Sequence, residues 1–273
     1  MSGRVLPLRG SSEPWSGGRV AGSARCVLAP NPSPWTLDGT NTWLLAAPGG
    51  RSAAVVDPGP ADRSHLSAIL SAAEEDGLRI DIVLLTHGHI DHAEGARPLA
   101  ESLGVAIRSL DPTHRLGAEG LVDGDRIDLG GWDVGVVGTP GHSGDSVSLL
   151  VPDDGLLLTG DTVLGRGTSL VAWPDGRLAD YLDSLSRLCD LARDGEVRRL
   201  LPGHGPVLDD PVRVLEDYLD HRLARLDEVR SVLATGVTEP GEIVAVVYAD
   251  VPREVWPAAE LTVRAQLAYL AEG

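Results

Sequence analysis

Apolar positions along the chain fall into short runs separated by Gly, Pro and Asp, a pattern of strands ending in tight turns. Residues 24–29 and 41–47 read as strands, joined by a stretch over 30–40 too rich in proline for regular structure. Ala53-Ala54-Val55-Val56-Asp57 is a further strand, stopped by Pro58-Gly59-Pro60. Over 61–75 the period lengthens to that of a helix, with Leu66, Ile69, Leu70 and Ala73 on one face and Gly77 at its end. The run Ile80-Asp81-Ile82-Val83-Leu84-Leu85 predicts a short buried strand, followed by a helix over 93–103 and strands at 105–107 and 126–129. Strands are again predicted over 132–137, 146–151 and 156–159, then a helix over 178–192 and a strand over 197–201. Two strand-rich runs, each closed by helices, imply two sheets packed face to face with helices outside, a four-layer α/β sandwich.

After Pro206 the character changes. Helices are predicted over 211–234, 239–248 and 256–271 with no strand between them. The expected organisation is a loose, Gly/Ser/Pro-rich segment over 1–23, a catalytic domain over 24–206, and a small helical domain over 207–273. There is no internal repeat.

Composition narrows the function classes. With 273 residues and ample apolar content the chain can build a substantial core without disulfides. Cys26 and Cys189 are far apart and outside any C-x-x-C context, which points to a reducing compartment. The first ten residues lack a sustained apolar stretch and no segment approaches a membrane span, so a cytoplasmic protein is expected. No lysine occurs, which removes lysine nucleophiles and Schiff bases from consideration. A formal charge of -17 repels polyanions at a distance and argues against loose nucleic-acid binding. It leaves room for a local positive site, since two divalent ions carry about four positive charges of their own.

The chemistry concentrates in Thr86-His87-Gly88-His89-Ile90-Asp91-His92, directly after a predicted strand. Imidazole nitrogen and carboxylate oxygen are what zinc and related cations bind. In extended chain His87 and His89 point the same way and can face one ion, while Asp91 and His92 follow a turn and can face a second. Three more candidates lie where strands end beside glycine: His142 in Pro140-Gly141-His142-Ser143-Gly144, Asp161 in Thr159-Gly160-Asp161-Thr162, and His204 in Pro202-Gly203-His204-Gly205. The other histidines lack this context. His65 is expected to be solvated on a surface helix and His114 to be a turn residue. His221, beside Arg222, reads as a structural hydrogen-bonding group or, alternatively, as a residue at the edge of the substrate.

The order H-x-H-x-D-H, G-H, G-D, G-H over residues 24–206 resembles the metallo-β-lactamase superfamily. The resemblance implies an αββα sandwich with metals at the edge of the two sheets. Carried onto this chain, it implies that His87, His89 and His142 hold one metal, that Asp91, His92 and His204 hold the other, and that Asp161 bridges them. Asp57 would shape the site from behind the ligands. Leu37-Asp38-Gly39-Thr40-Asn41-Thr42, Gly160-Asp161-Thr162-Val163-Leu164-Gly165, Tyr181-Leu182-Asp183-Ser184-Leu185 and His221-Arg222-Leu223-Ala224-Arg225 look like the β-lactamase-like-2 group, whose members carry a C-terminal winged-helix-like domain. Here the chain stops at Gly273 straight after the last helix, so the wing is expected to be short or missing. From Val207 onward 6 Arg stand against 13 Asp plus Glu, a balance of -7, the wrong sign for gripping DNA.

The resulting expectation is a dinuclear zinc-dependent hydrolase, with iron or manganese as alternative metals. Two such ions bring a shared water to near-neutral pKa, making a hydroxide nucleophile, and polarise the oxygen under attack; Asp91 can orient that water or take its proton as well as bind. The bond cleaved could be a thioester, ester, lactam or phosphodiester, so small molecules or acyl-thioesters are the expected substrates and single-stranded RNA stays open. A true β-lactamase would be secreted and lacks its export signal here. A mononuclear iron persulfide dioxygenase shares the fold, with only two histidines and an aspartate as ligands. A metal-stabilised binding module without catalysis is the non-enzyme alternative. A homodimer stays open.

Overall fold

A computed structural model describes residues 13–117 and 119–272. β1 (Gly18–Arg19), β2 (Ala24–Leu28), β3 (Asn41–Ala46), β4 (Ser52–Val56), β5 (Arg79–Leu84) and β6 (Ala106–Arg108) form one six-stranded sheet in that order. β7 (Arg126–Asp128), β8 (Asp133–Gly138), β9 (Val147–Val151), β10 (Leu156–Gly160), β11 (Arg199–Pro202) and β12 (Leu208–Asp209) form the second, also in chain order. Both sheets are mixed: β4, β5 and β6 run parallel, as do β10 and β11, and the other pairings are antiparallel.

The layers follow from which strand faces are apolar. Trp43, Leu45, Ala54, Val56 and Leu84 of the first sheet pack on Val134, Leu149, Leu156, Leu158 and Leu201 of the second, making the central core. The opposite face of the first sheet carries Leu44, Val55, Val83 and Ile107 against α1 (Arg63–Glu75) and, beyond the four-residue α2 (Ile90–Ala93), α3 (Ala96–Leu103). The outer face of the second carries Leu150, Leu157 and Leu200 against α4 (Leu178–Arg193) and α5 (Pro211–Leu233). Strands buried on both faces read as mainly apolar runs rather than alternating ones, as β9 and β10 do, with Ser148 and Thr159 as their polar members. The αββα sandwich expected from the sequence is the fold observed. α6 (Pro240–Val247) and α7 (Trp256–Glu272) close a small separate core of Val229, Ile243, Val244, Val247, Ala259 and Val263 at the far end of α5. Among the described residues no strand follows β12.

Three local expectations need correction. Of the segment 1–23 read as loose, residues 1–12 lie outside the described residues, while Gly18–Arg19 pairs with β2 and Trp15 Nε1 donates to Asn41 Oδ1 at 2.7 Å. A single tryptophan with a buried amide to bond anchors a stretch whose composition alone suggests disorder. The helix expected over 93–103 is divided into α2 and α3, because Gly95 N–H donates to the Gly59 carbonyl at 2.8 Å. His65 is buried, only 2 % exposed, with Nε2 2.9 Å from Thr42 Oγ1. The face of α1 that carries it lies against the chain leaving β4 rather than against solvent.

Candidate metal centre

Strand direction delivers the site. In the parallel pairs β4–β5 and β10–β11, C-terminal ends share an edge, and β8 runs the same way as β10 because each is antiparallel to β9. The loops leaving those ends carry Asp57, His87 to His92, His142, Asp161 and His204. Residues more than a hundred positions apart therefore converge at one rim of the sandwich.

The turn after β5 is set from behind. Asp57, held at φ 49°, accepts from Thr86 N at 2.8 Å and Thr86 Oγ1 at 2.6 Å, and its Oδ2 lies 2.9 Å from His92 Nδ1. A non-glycine residue in the left-handed region costs about 1 kcal/mol or more, and such strain persists where the surroundings fix it. Since the Thr86 hydroxyl donates to Asp57, it accepts from His87 Nδ1, 3.0 Å away. One carboxylate thus fixes the tautomers of two imidazoles. The short α2 then turns Asp91 and His92 inward.

The remaining members are fixed in the same manner. His142 Nδ1 donates to the Leu170 carbonyl at 2.7 Å, and His204 Nδ1 to the Gly39 carbonyl at 3.2 Å. Gly160 (φ 48°) and Gly203 admit the close approach of these loops: a Cβ on Gly203 would stand 2.5 Å from Asp161 Oδ1 and 2.7 Å from His92 Cε1. With Nδ1 engaged on the outer side, the Nε2 atoms of His87, His92, His142 and His204 turn inward. His92 Nε2 is 3.1 Å from His204 Nε2, and His89 Nδ1 is 3.0 Å from both His87 Nε2 and His142 Nε2.

Imidazole nitrogens that face each other this closely share a cation, a proton or a metal ion, and a set of imidazoles and carboxylates is the donor set of zinc or iron. Three groups have ligand atoms mutually within 4.8 Å: His87, His89 and His142; Asp57, His87 and His92; Asp91, His92 and His204. Asp161 lies between the outer two, Oδ2 3.8 Å from His142 Nε2 and 3.4 Å from His204 Nε2, Oδ1 3.4 Å from His92 Nε2. Asp161 Oδ1 is buried without a hydrogen-bond partner, which a bound cation would satisfy. The residues present fit a metal centre.

Titration behaviour reflects the same charge demand. Burial drives the His87 and His142 imidazoles below their usual range. Burial would do so for His204 too, but Asp161 and Asp91 outweigh it and push it up to about 9. Burial opposes ionisation of Asp161, yet His204 and His92 hold its carboxyl well below the usual range. Anions at this spot are stabilised by whatever positive charge is at hand.

The five histidines and two aspartates picked out as ligands from the sequence all stand in this cluster. Asp57 is behind it, as expected. His221 lines the adjoining cavity together with Arg222 and Arg225. Thr86, the Leu170 carbonyl and Asn41, whose amide ties the Pro202 and Gly205 carbonyls, were given no role from sequence. Thr86, in the run 86–92, and Asn41, in the run 37–42, stood inside motifs that could have drawn attention to them.

Similarity to known proteins agrees with this geometry. Residues 35–204 match the model of the metallo-β-lactamase superfamily, and residues 240–272 that of the β-lactamase-associated winged helix domain. The chain is 31% identical to a β-lactamase-like protein 2 homolog of Drosophila melanogaster, covering 92% of this chain and 89% of that protein. A homolog of the same name from Caenorhabditis elegans is 33% identical over 83% of this chain and 76% of its own length. A β-lactamase domain protein from Burkholderia ambifaria superposes with a TM-score of 0.80 at 25% identity, covering 96% of this chain and 90% of that one. The chain belongs to the metallo-β-lactamase superfamily of hydrolases, in its β-lactamase-like-2 group, and carries the winged-helix domain associated with it.

Proposed function

We propose that the chain is a dinuclear zinc-dependent hydrolase of acyl bonds. In this reading His87, His89 and His142 hold one ion, Asp91, His92 and His204 the other, and Asp161 faces both. Residues 24–206 carry the chemistry, and residues 207–273 shape the rim of the site. The carrying observation is the set of inward imidazole nitrogens 3.0 to 3.1 Å apart, with the rings of His87, His92, His142 and His204 each held through the other nitrogen. Ligands oriented from behind in this way are the mark of a built centre rather than a chance cluster.

When bound, such a pair of ions supplies Lewis acidity, lowering the pKa of a water toward neutrality and polarising the substrate oxygen. The chain's own contribution is positional. Asp91 lines the cavity, and its side chain is 29% exposed, so it can reach substrate as well as the cluster. Burial opposes its ionisation, but His204 and His92 together outweigh this and hold the carboxyl below its usual range, so it is an acceptor at neutral pH. Asp91 takes a proton from water as the water oxygen bonds to the acyl carbon. It returns that proton to the departing heteroatom as the acyl–heteroatom bond breaks.

The test is metal analysis of the purified protein alongside hydrolysis of thioesters, lactones, cephalosporins and single-stranded RNA. Two zinc ions per chain are expected, with hydrolysis lost on chelation and recovered on adding zinc back. Full hydrolysis after the metal has been stripped would overturn the reading, and one iron per chain would point to a mononuclear centre instead.

A further inference from the structure

The metal cluster opens into a cavity of about 440 Å³, within the size range of a site for one small molecule. His89, Asp91, His142, Asp161 and His204 form its floor. Above them its sides differ in character from the rest of this acidic chain. One side is built by Trp35, Leu37, Leu164 and Leu170 from the loops around the cluster. The C-terminal domain contributes Val251, Val255, Ala258 and Ala259 to the lining. Trp35 is 51% exposed, a large apolar surface left at the mouth.

The cations in this cavity are already committed. Arg166 pairs with Asp38. Arg225 pairs with Glu228 at 2.9 Å, donates to the Val247 carbonyl at 2.7 Å and lies over the Tyr248 ring. Arg222 donates to Thr168 Oγ1 and the Ser169 carbonyl and lies over the Tyr181 ring. A polynucleotide needs a groove of cations available to successive phosphates, and these are tied to protein instead. Apolar side chains lining the same cavity as an exposed tryptophan offer burial to hydrocarbon.

We propose that the substrate carries an apolar acyl body, aliphatic or aromatic, which lies between Trp35 and the C-terminal wall while its carbonyl faces the metal cluster. Val251, Val255 and Ala258 determine specificity, so the helical tail selects the acyl group that the sandwich hydrolyses. This deepens the hydrolase reading and rests on it for the chemistry, but the binding itself does not.

The full-length protein is assayed with p-nitrophenyl acetate, butyrate and octanoate, and titrated calorimetrically with acetate, butyrate and octanoate. Each buried methylene is worth roughly fourfold in affinity. The parent is expected to show kcat/KM at least tenfold higher for octanoate than for acetate esters, with octanoate ion binding more tightly in parallel. Ala258→Trp, which fills the cavity, is expected to cut the octanoyl-to-acetyl ratio at least tenfold. Val255→Thr, which keeps the volume close but adds a hydroxyl, gives a smaller cut in the same direction and guards against misfolding of the first variant. A flat chain-length profile, or a preference untouched by both variants, overturns the proposal. So does efficient cleavage of single-stranded RNA without hydrolysis of any ester. If no ester is cleaved while octanoate still binds in the parent and fails to bind in Ala258→Trp, the wall stands and the hydrolase reading falls.

Discussion

His142 Nδ1 donates to the carbonyl of Leu170 at 2.7 Å, a bond that leaves Nε2 unprotonated and aimed at the metal cluster. The carbonyl is itself held at one remove. Arg222 of α5 donates to Thr168 Oγ1 at 2.7 Å and to the Ser169 carbonyl, while Ser169 Oγ stands 3.2 Å from His142 Nδ1. Tyr218, one turn earlier, accepts from Leu164 N at 2.9 Å and fixes the start of the same loop. The helix leading into the C-terminal domain therefore positions a candidate ligand on the sandwich.

Arg222→Gln should accordingly weaken metal binding without unfolding the protein. Outer partners of ligating histidines typically contribute 10- to 100-fold in metal affinity. A loss of about tenfold is expected, read by competition with a chromophoric chelator, with the far-ultraviolet circular dichroism of the parent. Unchanged metal affinity would show that the loop holds His142 without its guanidinium strut.

Asp161 faces both groups of histidines, so Asp161→Asn tests the centre at its middle. Electrostatic stabilisation by bound metal contributes several kcal/mol to such reactions, so kcat/KM should fall about 10³-fold or more. The folded baseline should persist, because the central core of the sandwich lies apart from this rim. An unfolded variant would instead favour a purely structural metal.

The sequence made the candidate site legible because metal chemistry restricts residue types far more than packing does. A histidine at the end of each of several strands, beside glycine, has few other uses. The apolar runs of β9 and β10 likewise announced buried strands. What stayed hidden depends on distant geometry. His65 lies on a helix whose pattern puts no special constraint on it, yet Thr42 accepts its proton from across the sheet edge. Arg222 and Leu170 act through a hydroxyl and main-chain carbonyls, which no residue type reveals. Gly18–Arg19 is too short to show any period, and its pairing partner alone makes it a strand.

Gly203→Ala probes the closeness of the two sides of the centre. The added methyl would lie 2.5 Å from Asp161 Oδ1 and 2.7 Å from His92 Cε1, so one of these side chains must move. Displacement by even 1 Å can cost about 100-fold in rate. Gly135→Ala, whose methyl would meet Leu150 Cβ at an ordinary 3.7 Å, serves as the comparison. Metal stoichiometry should fall in the first variant and hold in the second. Equal metal content in both would mean the centre tolerates more movement than the packing suggests.

His65 gives the fold an acid-sensitive element outside the metal cluster. Burial pushes its imidazole down from 6.5 to about 4, against a smaller opposing pull from Asp62. The Thr42 hydroxyl donates to the Asp57 carbonyl at 2.7 Å, so it accepts from His65 Nε2, a bond the neutral ring makes without burying a charge. In the unfolded chain His65 takes up its proton near pH 6.5, whereas the folded form resists until about 4. The unfolded state therefore binds more protons between those values, and stability falls as pH drops through that window. Above the window the contribution is fully present. The effect is on the order of 2 kcal/mol. His65→Gln, which keeps a donor toward Thr42 but cannot titrate, should be less stable than the parent at pH 7. The gap should close as pH falls toward 4.5, measured by urea unfolding in excess chelator so that metal release adds nothing. A gap independent of pH would mean that His65 carries its proton in the folded protein as readily as in the unfolded chain.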